Sequence, residues 1–129
     1  MPTWPEIQAY ARSKYRLAKD EPEKFAVVFK EADNRTQMIW VRKFTAFNQE
    51  WLEFKSYFAK EAELAPAVAL RLNGELPIGS IALLDGYYAL LHNAPLKNLD
   101  VEEFELPFNY LATKADQLER TYSAGKDDY

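Results

Sequence analysis

The sequence predicts a single-domain α+β fold, in which an antiparallel sheet packs with helices in the order helix, three strands, helix, two strands, helix. Short segments rich in Val, Ile, Phe and Trp are separated by turn sequences such as Asp85-Gly86, which indicates hairpins and therefore antiparallel pairing. Apolar residues near both chain ends recur every three or four positions, which is typical of helices with one buried side. The chain has 129 residues, which suits one domain over residues 1–129.

The first helix is predicted to begin at Thr3. The segment from Thr3 to Glu6 has the spacing of a capping box, in which the Thr hydroxyl accepts the amide of the third helical residue. Trp4, Ile7, Ala11 and Tyr15 follow at helical spacing. Because residues before a proline avoid the α conformation, the Asp20-Glu21-Pro22 sequence is expected to end this helix after about four turns.

Three strands are expected next in the chain. Residues 25–30 alternate in side-chain character, and the Asp33-Asn34 turn joins them to residues 36–42, which are rich in strand-favouring types. A second turn near Asn48-Gln49 leads into residues 51–57. Both faces of the last two strands carry apolar side chains, so one apolar face is expected to point away from the helices unless helices cover both sides.

A short helix and a second hairpin are predicted in the middle of the chain. The helix begins near Pro66, where proline is tolerated in the first turn, and ends at Asn73-Gly74. A strand through residues 81–84 then meets the strand at residues 87–91 through Asp85-Gly86, which supplies the positive φ of a two-residue turn.

The last helix is predicted to begin at Asp100, an N-cap residue followed by Glu103 at the third helical position. An apolar stripe at intervals of three and four is formed by Phe104, Phe108, Leu111, Ala115, Leu118 and Tyr122. Pro107 lies inside this stripe, so the helix is expected to kink or restart there. The polar segment from Ser123 to Tyr129, which includes Gly125, is expected to fray.

Composition excludes several classes of function. The net charge of −4 argues against binding to a phosphate backbone, which requires clustered basic residues. The absence of cysteine excludes disulfides, thiolate metal sites and a cysteine nucleophile, and it suits a reducing compartment. The sequence has neither an apolar run long enough for a membrane span nor the apolar core of a signal peptide at its N-terminus. The expected location is the cytoplasm.

No catalytic or metal site can be assembled from the sequence. His92 is the single histidine, and it is expected to be structural or exposed, because a general base needs a substrate proton and an orienting partner. The adjacent acidic pairs Glu102-Glu103 and Asp127-Asp128 diverge on a helix and are interpreted as a helix start and a solvated tail. We therefore expect no enzymatic activity, no metal and no cofactor.

Four segments carry a resemblance to a known family. They are WPEIQAYARSKY from Trp4, RTQMIWV from Arg35, LNGELPIGSIALLDG from Leu72 and ADQLE from Ala115. Together with the predicted element order, they resemble the class I type III secretion chaperones, and more specifically the YbjN-like proteins often called sensory transduction regulators. The resemblance implies a small acidic homodimer that holds an extended segment of a partner, such as a secreted client, against apolar patches. It equally allows a signalling or antitoxin-like regulator that binds one folded protein.

Two surfaces follow as candidates. High aromatic content, 15% of the chain, suggests a partner-binding surface around the connection between the second and third strands, formed by Trp40, Phe44, Phe47 and Trp51. The alternative is an ordinary core with a few exposed aromatic residues. The resemblance implies a dimer interface on the middle helix and the following strand, at Val68, Leu70, Leu72, Ile78, Ile81 and Leu83.

Overall fold

The computed structural model describes residues 3–124 and 126–129, and it has an α+β architecture with a single sheet. In chain order the elements are α1 (Trp4–Lys14), β1 (Leu17–Glu21), β2 (Lys24–Lys30), β3 (Thr36–Ala46), β4 (Gln49–Lys60), α2 (Pro66–Asn73), β5 (Ser80–Leu84), β6 (Tyr87–Pro95) and α3 (Val101–Tyr122). Short 3₁₀ turns lie at Ala32–Asn34 and Glu61–Glu63. In the part of the chain that the structure describes, no helix is long and apolar enough to cross a membrane.

All six strands form one antiparallel sheet in the order β1-β2-β3-β4-β6-β5. Short connections join β1 to β2, β2 to β3, β3 to β4 and β5 to β6, which explains why these strands are neighbours. The longer connection from β4 to β5 contains α2, and β6 lies between these two strands. This confirms the predicted α+β class and the antiparallel pairing. The edges of the sheet are β1 and β5.

The three helices lie on one face of the sheet. On α1, Trp4 stacks on Phe25 with ring centroids 5.6 Å apart. On α3, the Phe104 and Phe108 rings contact Phe54 of β4. The core between helices and sheet contains side chains that are at most 1% exposed: Phe25, Ile39, Val41, Leu52, Phe54, Phe58, Leu90, Phe104, Phe108 and Leu111. The Val68 and Leu72 side chains of α2 extend this core toward β5.

The first helix is shorter than predicted, and an additional strand follows it. Residue Tyr15 is already extended (φ −126°, ψ 156°), and residues 17–21 form β1. Side chains of α1 hold this strand in place, because Gln8 Nε2 donates to Asp20 Oδ1 and to the Glu21 carbonyl at 2.7 Å each. The prediction of a four-turn helix ending at Pro22, and hence of three strands before α2, was therefore wrong.

The last helix does not restart at Pro107, which corrects one part of a second prediction. A single helix runs from Val101 to Tyr122, and its N-cap is Asp100, whose carboxylate accepts the Glu103 amide at 2.7 Å. Phe104 and Phe108 on either side of the proline are fully packed on the sheet. This burial holds the helix together although the proline cannot donate a backbone hydrogen bond.

The C-terminal segment packs against the domain, although it was expected to fray. Ser123 is buried, and its hydroxyl donates to the Phe58 carbonyl at 3.0 Å. Further along, the Asp127 carboxylate accepts the Thr36 amide at 3.1 Å. The expectation of fraying was therefore wrong, although Asp127 and Asp128 are exposed, as expected of a solvated tail. Gly125 lies outside the described residues.

Candidate partner-binding face

The sheet face that points away from the three helices is called the open face below. Residues directly opposite one another on neighbouring antiparallel strands share a face. The register therefore places three rows of side chains on the open face: Glu21, Lys24, Arg42, Glu53 and Asn93; Lys19, Ala26, Trp40, Lys55, Leu91 and Ser80; and Phe44, Trp51 and Pro95. By alternation along the strands, Val28, Met38 and Tyr57 belong to the same face.

Aromatic rings line the centre of the open face. Phe44 and Trp51 are stacked with centroids 6.1 Å apart, and the Trp51 indole donates to the Ala46 carbonyl at 3.0 Å. Trp40 and Tyr57 lie further along the same two strands. All four rings are partly exposed. A stacked, hydrogen-bonded pair is already ordered, so little conformational entropy would be lost when a partner contacts it.

Charged side chains lie between these rings. The Lys24 ammonium is 5.4 Å from the centre of the Trp40 ring, and the Lys55 ammonium is 5.3 Å from that of Tyr57. Such cation–π contacts hold a charge beside an aromatic face. Arg42 makes two parallel hydrogen bonds to Glu53 at 2.9 Å each, and this pairing raises the pKa of Arg42. Together with Trp40, these residues line an open groove of about 260 Å³.

The hairpin tip between β3 and β4 carries the most exposed aromatic ring of the candidate set. Phe47 and Asn48 both have positive φ, 53° and 59°, as a two-residue turn with both central residues left-handed requires. The Phe47 side chain is 91% exposed. A bulky residue in this conformation is strained by about 1–2 kcal/mol. Such strain at an exposed tip indicates that Phe47 has a functional role and not a stabilising one.

The structure brings together three of the four predicted partner-binding residues. Trp40, Phe44 and Trp51 lie on the open face, and Phe47 projects from the hairpin beside it. The sequence pattern did not identify Lys24, Tyr57 and the Arg42–Glu53 pair as part of this surface, although their alternation with Trp40 and Lys55 was readable.

The residues of the implied dimer interface cluster around the β5 edge of the sheet. Leu70 on α2 is 72% exposed and Leu83 on β5 is 42% exposed. In contrast, Ile81 is buried, and the remaining members, Val68, Leu72 and Ile78, are partly buried. The cluster is thus split between core and surface.

Neither edge of the sheet is well suited to pairing with a further strand. On β5, Asn73 Oδ1 accepts the Ile81 amide at 2.5 Å, and its Nδ2 donates to the Ile81 carbonyl at 3.3 Å. This amide takes the place of a neighbouring strand at that residue. On β1, the edge sequence is LAKDE with an irregularity after Leu17, and charged or irregular edges disfavour strand addition.

A buried polar cluster that the sequence analysis missed joins α3, β3 and the C-terminal segment. Arg35 Nε donates to Asp116 at 2.8 Å, and its Nη2 atom donates to Glu119 at 3.3 Å and to the Lys126 carbonyl at 2.6 Å. Burial raises the pKa of Glu119 to about 7, against the lowering effects of Arg35 and of the hydrogen bond from the Asp128 amide.

Three carboxylates of this cluster lie close enough together to resemble a metal site. One carboxylate oxygen from each of Asp116, Glu119 and Asp127 lies within 4.8 Å of the others. The Arg35 guanidinium is within 4.0 Å of all three carboxylates, so it occupies the position that a cation would take. The arrangement is a buried ion-pair cluster that holds the C-terminal segment.

His92 lies on the helix-facing side of β6. Its ring centroid is 5.9 Å from that of Phe54, and burial lowers the pKa of the imidazole. This environment favours the neutral form of the ring. Of the acidic pairs, Glu102 and Glu103 lie in the first turn of α3, as interpreted from the sequence.

No family model matches this chain, and no curated protein matches it significantly.

Proposed function

We propose that this chain is a non-enzymatic protein-binding module, similar in role to a type III secretion chaperone, that holds a segment of a partner protein on its open face. The observation that carries the proposal is the row of partly exposed aromatic rings on the face away from the helices. Aromatic residues are enriched where proteins bind one another, since each contributes a large apolar area with few rotatable bonds.

The sheet edges favour binding across the face over strand addition. Strand addition requires free backbone groups along an edge. At the β5 edge, the Asn73 side chain already bonds both backbone groups of Ile81, and β1 is short, charged and irregular. A partner segment is therefore expected to lie over Trp40 and Trp51.

The setting of His92 supports a non-enzymatic role. A general base works best when a polar partner orients it and its pKa lies near the working pH. Here the ring packs beside Phe54, and burial lowers its pKa. The proposal includes action in the cytoplasm, which suits a chain without cysteine.

The proposal also includes a homodimer formed through α2 and β5. Leu70 and Leu83 are large apolar side chains exposed at this edge, and a second copy would remove them from water. Leu70→Asp is expected to convert a dimer into a monomer, measured by light scattering over a range of concentrations.

The test of the binding role is capture with matched variants. Tagged wild-type chain and its Trp40→Asp and Trp51→Asp variants are incubated with cell lysate, and the bound proteins are identified by mass spectrometry. Leu106→Asp serves as the control, because Leu106 is 63% exposed on α3, on the other side of the molecule. The same protein should bind the wild type and the control but neither Trp variant, with unchanged circular dichroism. Equal capture by all four would refute the open face as the binding site.

A second candidate is a YbjN-like signalling or antitoxin-like regulator that binds one folded partner. The occupied β5 edge favours it over a chaperone that pairs strands with an extended client. The two are distinguished by offering the captured partner in folded form and in urea-unfolded form diluted into buffer. Binding of the folded form alone supports the regulator, whereas binding of the unfolded form supports the chaperone.

A further inference from the structure

The open face has more basic than acidic side chains, although the protein as a whole is acidic. The three rows contain four basic and two acidic side chains. They are Lys19, Lys24, Arg42 and Lys55 against Glu21 and Glu53. The whole chain has 16 basic and 20 acidic residues. An acidic protein thus presents a basic surface at one place, and the rest of it is correspondingly more acidic.

This positive charge is not cancelled locally. Glu53 accepts two hydrogen bonds from Arg42 and also lies 3.9 Å from the Lys55 ammonium, so one carboxylate serves two cations. Lys24 lies over the Trp40 ring, which polarises toward the charge without neutralising it. Since screening lengths in physiological salt are about 8 Å, an approaching partner responds to this local excess more than to the distant charges of the helix side.

We propose that the open face binds an acidic segment of a partner protein, in which pairs of Asp or Glu residues alternate with pairs of apolar ones, so that both kinds of side chain point toward the face. The apolar side chains would lie on Trp40 and on the Phe44–Trp51 stack, while the carboxylates would reach Lys24 and Lys55 at the groove. The inference rests on the binding role proposed above and adds the chemistry of the partner.

A second copy of this chain fits the open face less well. In a two-fold symmetric contact, the same patch meets itself. Lys24 and Lys55 would then face their own positive charges, and like charges brought together across an interface oppose association. The acidic excess of the partner must therefore come from a different protein.

Single-stranded nucleic acid is the main competitor for a basic, aromatic sheet face, because bases stack on exposed rings. The observations favour a peptide. Arg42, the side chain best suited to a phosphate, already donates from Nε and Nη2 to Glu53, and this carboxylate lines the groove.

The experiment measures fluorescence anisotropy with four labelled probes. Three are twelve-residue peptides in which pairs of Leu alternate with pairs of Glu, of Gln or of Lys, and the fourth is a twelve-nucleotide oligothymidylate. Each probe is titrated with wild-type chain, Lys24→Glu and Lys97→Glu at low and moderate salt. Lys97 is an exposed lysine in the loop after β6, so its variant has the same net charge without altering the open face.

We expect the Glu peptide to bind the wild type most tightly, and its affinity to fall as the salt concentration rises. Lys24→Glu should lower the affinity for this peptide by about tenfold or more, and Lys97→Glu by less than about twofold. Tighter binding of the oligonucleotide would overturn the proposal in favour of nucleic acid.

Two further outcomes separate the inference from the proposed function. If the Gln peptide binds as tightly as the Glu peptide and Trp40→Ala abolishes both, the binding role stands and the acidic preference is wrong. If no peptide binds the wild type, both proposals are wrong.

Discussion

Replacing Glu119 by glutamine tests whether the buried ion-pair cluster controls the stability of this domain. The carboxylate is fully buried, and it accepts hydrogen bonds from Arg35 and from the Asp128 amide. Burial raises its pKa to about 7, whereas the ordinary value is 4.5. Glutamine has the same shape and retains an oxygen that accepts from Arg35, but it does not titrate. The variant therefore isolates the contribution of the charge.

The size of the effect follows from the two pKa values. Between pH 4.5 and 7 the folded protein keeps a proton on Glu119 that the unfolded chain has released, so the free energy of unfolding falls as the pH rises. One pKa unit corresponds to about 1.4 kcal/mol, and the shift is thus worth up to about 3 kcal/mol. Relative to wild type, the free energy of unfolding of Glu119→Gln should therefore increase by up to this amount as the pH rises from 4 to 8.

Urea unfolding, followed by circular dichroism at four pH values, measures the difference. Using the difference between the two proteins cancels the contribution of His92. Burial lowers the pKa of that imidazole, and its own effect runs in the opposite direction, with stability lost as the pH falls. Parallel stability curves for wild type and Glu119→Gln would refute the reasoning, because they would mean that Glu119 titrates alike in the folded and unfolded chain.

Three further predictions concern stability. Phe47→Asn should raise the free energy of unfolding by about 1 kcal/mol in urea titrations, since asparagine tolerates the left-handed turn and the exposed ring loses no packing; a loss would contradict the strain. Gly79→Ala should lower the free energy of unfolding by about 3 kcal/mol, because its Cβ would lie 2.8 Å from the Leu91 carbonyl oxygen. Gly86→Ala, at a position with positive φ but open space around it, should lower it by about 1 kcal/mol, and equal losses for the two variants would contradict the clash. Arg35→Met should lower stability by about 3–5 kcal/mol by leaving buried carboxylates without their cation, and a change within 1 kcal/mol would contradict that role.

The sequence predicted those parts of the fold that depend on local signals. Asp85 and Gly86 both have positive φ at the second hairpin, and Thr3 and Asp100 cap the helices that they were expected to cap. Strand β1 was missed because its polar sequence, LAKDE, has the composition of a helix end. It is a strand because it pairs with β2 and with side chains of α1, which are contacts that the local pattern does not contain.

The candidate site was predictable only in outline. Alternation along β3 placed Trp40 on one face and Ile39 on the other, but which face the helices cover depends on packing between distant elements. Similarly, Arg35 and Asp116 are 81 positions apart, so neither residue signals that the other will bury its charge. The C-terminal segment was expected to fray for this reason, since its ordering partners lie on β3 and α3.

The net charge of the chain says less about the chemistry of a possible partner than the positions of the charged side chains do. A total of −4 describes the attraction of the whole protein at long range, whereas contact occurs over distances comparable to the screening length. The antiparallel register collects basic side chains from β1, β2, β3 and β4 onto one face, because alternation sends every second residue there. Aromatic rings from β3 and β4 occupy the same face. A partner of the proposed kind would therefore match apolar area and negative charge together, and the net negative charge of the rest of the protein would disfavour its binding elsewhere.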